Sequence, residues 1–99
     1  MAYEVIYKKQ FLKSFEAVFQ YLEKEWGEVV AANFLKTIYS KIDILKLQPY
    51  LGVASPKIVN VRGILITKHN RLYYKVSKNR LVLLNMYDSR INPSKNPYR

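Results

Sequence analysis

The chain has 99 residues, 49% of them hydrophobic and 24% charged, enough for one globular domain and too few for two. With no Cys, one His and three Gly, it has no disulfide framework, thiolate or His-rich metal site, cysteine nucleophile or Gly-rich phosphate loop. The net charge is +10 and unevenly placed: residues 1–52 carry seven basic and six acidic side chains, whereas residues 53–99 carry ten basic side chains against Asp88 alone.

Tyr3, Val5 and Tyr7 alternate with Ala2, Glu4 and Ile6, which predicts a short strand. From Lys8 the period becomes helical. Phe11, Phe15, Val18, Phe19, Leu22 and Trp26 form one stripe, read as core, and Gly27 stops the helix. A second helix starts near Glu28, an acid suited to the positive end of the helix dipole. Its core stripe is Val30, Phe34, Ile38, Ile42 and Leu45, and Pro49 and Gly52 end it. The link is so short that the two helices must fold back as an antiparallel hairpin.

After Pro56 the pattern turns strand-like. Ile58 to Thr67 is rich in β-branched residues, with Gly63 as a bulge or bend. Asn70 or Arg71 opens the next strand, which runs through Val76, and Ser77-Lys78-Asn79 forms a hairpin turn. Arg80 to Tyr87 is apolar on both faces and therefore central. Ser89 to Arg99, with two prolines, reads as irregular. The expected architecture is α+β in the order β-α-α-β-β-β. A helical hairpin packs on one face of a small, mostly antiparallel sheet, and residues 1–99 form one domain. No apolar run spans a bilayer, and the N-terminus lacks the basic start and apolar core of a signal peptide, so a cytoplasmic location with no membrane partner is expected.

Strand alternation puts Leu72, Tyr74 and Val76 on one side and Arg71, Tyr73 and Lys75 on the other. With the helices on the first side, no element remains to cover the second. A cationic, tyrosine-bearing face attracts a polyanion. Arg71 and Lys75 suit phosphates, Tyr73 suits stacking on a base, and Lys57, Lys68 and Lys95 extend the RNA-binding surface. RNA supplies its own nucleophile in the 2′-OH. Cleavage then needs a proton acceptor, charge at the phosphate and a proton donor for the leaving oxygen, with no metal or cofactor. His69, Tyr73, Tyr87, Arg71 and Arg90 offer these groups, a tyrosine base requiring neighbouring cations to lower its pKa. Asp88, alone in its half, cannot form the paired carboxylates of a glycosidase or a two-metal nuclease.

Several segments resemble the RelE/ParE toxin superfamily of bacterial type II toxin–antitoxin systems. They are Tyr3-Glu4-Val5-Ile6-Tyr7, the hairpin with Tyr21-Leu22 and Phe34-Leu35, His69-Asn70-Arg71-Leu72-Tyr73-Tyr74-Lys75-Val76, and the ending Tyr87-Asp88-Ser89-Arg90-Ile91-Asn92-Pro93. The resemblance implies a plasmid-stabilisation toxin with a neutralising antitoxin. It also implies one of two activities. RelE-like members cut messenger RNA on the ribosome without a metal, and ParE-like members poison DNA gyrase. By the same resemblance Arg62, Arg71 and Arg90 match basic positions of the nuclease motif, but Tyr87-Asp88-Ser89 stands where some nucleases carry a His-Tyr pair. The cationic sheet inclines the expectation toward RNA cleavage, with gyrase inhibition or antitoxin binding alone as alternatives. The uneven charge predicts an acidic antitoxin, part of it lying as a helix against exposed apolar residues of the hairpin such as Leu12 and Tyr39.

Overall fold

Gly27 sets the first fold event. It is the single residue between helix α1 (Lys9–Trp26) and helix α2 (Glu28–Leu47), and its φ of +94° is one that L side chains rarely adopt. Its N–H donates to the Glu23 carbonyl at 3.0 Å, closing α1 as α2 begins. Lys24 in the last turn of α1 and Glu28 in the first turn of α2 each complement a helix dipole. The hairpin expected from the sequence follows directly.

The computed structural model describes residues 3–90 and Tyr98. Among them the strands are β1 (Glu4–Tyr7), β2 (Val53–Ala54), β3 (Val61–Leu65), β4 (Asn70–Ser77) and β5 (Arg80–Asp88), in one sheet ordered β1-β5-β4-β3-β2. Only β1 and β5 run parallel, so the sheet is mixed and mostly antiparallel, with β5 interior as its two apolar faces predicted. The α+β fold is the expected one. No helix among the described residues is long and apolar enough to cross a membrane.

Four details differ from expectation. The two-residue strand β2 is too short to leave a sequence pattern, and it adds a fifth strand beside β3. β3 begins at Val61 rather than Ile58, because the Ser55 hydroxyl accepts the N–H groups of Lys57 and Ile58 and Asn60 turns the chain at φ 68°. Gly63 makes no bulge. It lies in the regular ladder, where a Cβ would come within 2.9 Å of the Tyr73 ring and 3.1 Å of Arg71. The bulge is in β5 instead. Tyr73 opposes Asn85 and Tyr74 opposes Leu83, which leaves Leu84 as the extra residue.

The main core lies between the hairpin and the inner sheet face. Phe11, Val18, Leu22, Phe34, Ile38 and Leu45 pack on Leu72, Tyr74, Leu81, Leu83 and Met86. Ser14 ties α1 to β5, its hydroxyl oxygen accepting the Met86 N–H at 2.9 Å. Two residues read as core are not: Trp26 is 57% and Val30 41% exposed at the turn end of the hairpin.

Tyr74 joins the sheet to the α2–β2 connection. Its hydroxyl donates to the Pro49 carbonyl and accepts the Gly52 N–H, both at 2.8 Å. Tyr74→Phe is expected to cost about 1–3 kcal/mol in denaturant unfolding, because it strands a buried N–H and a buried carbonyl. Burial raises the Tyr74 pKa above the ordinary phenol value, only partly offset by the Gly52 hydrogen bond and the Arg62 charge. The folded state therefore holds this proton more tightly than the unfolded chain. Stability from this source is full below about pH 10 and is lost as pH rises through the folded pKa. The alkaline slope of unfolding should flatten in Tyr74→Phe.

Candidate functional site

The outer sheet face is not bare. The Tyr98 ring stacks on Tyr73 with centroids 4.4 Å apart, and Tyr87 meets both rings edge-on. The Tyr98 hydroxyl accepts from Asn85 Nδ2 at 2.6 Å, and its carbonyl accepts from the Ser55 hydroxyl at 2.9 Å. Together with Val61, these rings form a second small core. Tyr73 is therefore 3% exposed, and the surface expected to stack on an RNA base is already occupied. Burial raises the Tyr87 pKa, and the neighbouring Tyr98 and Tyr73 add to that rise. A general base needs the opposite shift.

The candidate arginines occupy three neighbourhoods. Arg71 is on the outer face beside Gly63, Tyr73 and Tyr98. Arg62 pairs across the ladder with the core residue Tyr74, and so points to the other face. There its Nη1 donates to the carbonyls of Gly52 at 2.7 Å and Tyr50 at 3.3 Å, with the guanidinium over the Tyr50 ring. Arg90 is clamped to Asp88, its Nε donating to Oδ1 at 3.0 Å and its Nη2 to Oδ2 at 2.7 Å. Its guanidinium carbon lies 5.4 Å from the Tyr21 ring centroid and 5.9 Å from that of Trp26. Arg62, Arg71 and Arg90 thus line three separate depressions and do not form the single phosphate site expected. Arg62 holds the chain around Tyr50–Gly52, and Arg90 faces the helices.

The remaining candidates are dispersed. His69 and Lys68 lie in the β3–β4 connection beside Arg90, on the hairpin side of the sheet. Lys75 is half-buried in β4, and Lys57 is exposed after β2. Lys95 falls outside the described residues. Leu12 and Tyr39, 49% and 58% exposed, do come together, on a shallow α1–α2 groove floored by Phe11, Phe15 and Ile38. Sequence reasoning missed Trp26 as part of one cluster with Asp88 and Arg90. The Asp88-Ser89-Arg90 spacing was visible, but the side on which it emerges depends on the bulge.

The family model described as the ParE toxin of type II toxin–antitoxin systems matches residues 5–86. The chain belongs to the ParE toxin family. Solved structures share its fold at low identity. A chain of the chromosomal ParDE system from P. aeruginosa is 12% identical with a TM-score of 0.73, covering 88% of this chain and 96% of that one. A mutant of E. coli toxin RelE in the free state is 15% identical with a TM-score of 0.64, covering 99% and 95%. A chain of the E. coli DinJ-YafQ toxin–antitoxin complex is 11% identical with a TM-score of 0.63, covering 93% and 98%. A comparison with curated proteins returns no significant match.

Proposed function

We propose that this toxin acts by binding a protein target, DNA gyrase, and not by cutting RNA. The observation that carries this reading is the dispersal of Arg62, Arg71 and Arg90 over three depressions. Phosphate cleavage needs cations and proton-transfer groups within reach of one phosphorus. Here Arg62 is engaged by carbonyls, Arg90 by Asp88, and Tyr73 by Tyr98, while Tyr87 holds its proton more tightly than a free phenol. The same residues suit protein recognition, in which fixed aromatic and arginine side chains bind without transferring a proton. The experiment is expression in cells followed by mapping of messenger RNA ends. Transcripts intact within codons are expected; cuts within codons at the ribosome would contradict the reading.

The resting state calls for an acidic antitoxin, since a chain of charge +10 otherwise binds RNA nonspecifically. The Leu12–Tyr39 groove is apolar and open, suited to one face of a partner helix. Leu12→Glu is expected to weaken capture of the antitoxin encoded beside the toxin by about tenfold or more, read as a faster dissociation rate. Association should slow as salt rises, because the long-range attraction is electrostatic.

A further inference from the structure

A cavity of about 560 Å³ opens between the turn of the helical hairpin and the β3–β4 connection. Its walls are apolar, built by Leu22, Trp26, Val30 and Phe34, and its rim carries Lys68 and Arg90. Among the described residues no carboxylate lines it. Asn70 lines it as well. Its Nδ2 donates to the Thr67 hydroxyl at 2.8 Å, while its buried Oδ1 has no hydrogen-bond partner.

Arg90 is held ready. Asp88 grips one edge of the guanidinium, and the Tyr21 and Trp26 rings flank it. Five N–H donors belong to an arginine, and the Asp88 clamp uses two of them, Nε–H and one on Nη2. Trp, Tyr and Arg fixed beside an apolar hollow match the composition of a protein-binding hot spot. The site asks for an anion at the rim and an apolar body in the hollow. A nucleic acid offers phosphates, but its bases are flat, and the hollow between Leu22, Val30 and Phe34 suits an aliphatic side chain better. An acidic peptide offers both the anion and the aliphatic body.

We propose, building on the protein-binding toxin above, that this cavity receives an acidic segment of the target protein. One large apolar side chain enters between Leu22, Val30 and Phe34, and the flanking carboxylates meet Lys68 and Arg90. The antitoxin groove lies elsewhere on α2: Val30, Asn33, Phe34 and Thr37 face the cavity, whereas Leu35, Ile38, Tyr39 and Ile42 face the groove.

Trp26 is the only tryptophan of the chain and lines the cavity, so its fluorescence reports occupancy. The probe is a short end-blocked peptide of glutamates around one central leucine. Full-length protein should give a saturable blue shift of Trp26 emission. Lys68→Glu, an exposed loop position, should raise the dissociation constant by about tenfold or more, as should a serine in place of the peptide's leucine. Val30→Asp, at a second exposed position, should act likewise. Both variants should lose inhibition of gyrase supercoiling in parallel, with circular dichroism unchanged. No saturable shift, or equal binding by folded Lys68→Glu, overturns the proposal. Peptide binding lost with gyrase inhibition intact also overturns it, since the occupant is then not the target. Wild-type protein that leaves gyrase untouched but binds the peptide through Lys68 overturns the gyrase assignment and supports the cavity as an acidic-peptide site.

Discussion

Arg90→Ala is expected to lower stability and abolish toxicity together. The Asp88 side chain is fully buried and takes three hydrogen bonds from Arg90: two from the guanidinium and one from the backbone N–H at 2.8 Å. Removing the guanidinium leaves a buried carboxylate with the backbone donor alone. Breaking a fully buried pair costs about 3–5 kcal/mol, but the Arg90 side chain is 26% exposed and water recovers part of the loss, so about 2 kcal/mol is expected. The same substitution removes the cation between Tyr21 and Trp26 at the rim of the cavity. Arg90→Lys keeps the charge but neither the two-pronged geometry nor the stacking, and should recover only part of both losses. Denaturant unfolding and growth inhibition measure the two effects. An Arg90→Ala protein as stable as wild type would show that the clamp is not structural.

Tyr98→Ala should be the second large effect. Its ring covers Tyr73 and its hydroxyl satisfies Asn85, so the substitution opens the outer face and strands a polar group. Truncating a buried aromatic ring typically costs about 3–5 kcal/mol; this second cluster is small and Tyr98 lies at its edge, 9% exposed, so about 2–3 kcal/mol is expected. Tyr98→Phe keeps the stack and should cost about 1 kcal/mol for the lost acceptor. An unchanged unfolding midpoint for Tyr98→Ala would mean that the second core adds nothing to stability. New RNA cleavage by this variant would mean that Tyr98 masks a nuclease face.

Much of the fold was legible because its signals are local. The aromatic period of α1, the stop at Gly27 and the two-sided apolar run of β5 each have a direct physical cause in neighbouring residues. The expected split of β4 also appears: Leu72 and Tyr74 join the helix-side core, and Tyr73 joins the outer cluster. The site was not legible, because it depends on contacts distant in sequence. Tyr73 was expected to face solvent, and only the return of Tyr98, 25 residues later, buries it. Arg62 and Arg71 looked like partners in charge, but their positions on opposite sides of the sheet follow from strand register. The bulge at Leu84 redirects the end of β5, so that Tyr87 joins the outer rings while Arg90 turns to the helices. A single extra residue in a strand leaves no mark in an apolar run.

Gyrase supercoiling of plasmid DNA with purified toxin, beside a synthetic messenger RNA on ribosomes in a matched reaction, separates the proposed hold on a protein from chemistry on RNA. Loss of supercoiling with accumulation of linear plasmid, while the RNA stays whole, is the predicted result. Full supercoiling with RNA cut within codons would contradict it.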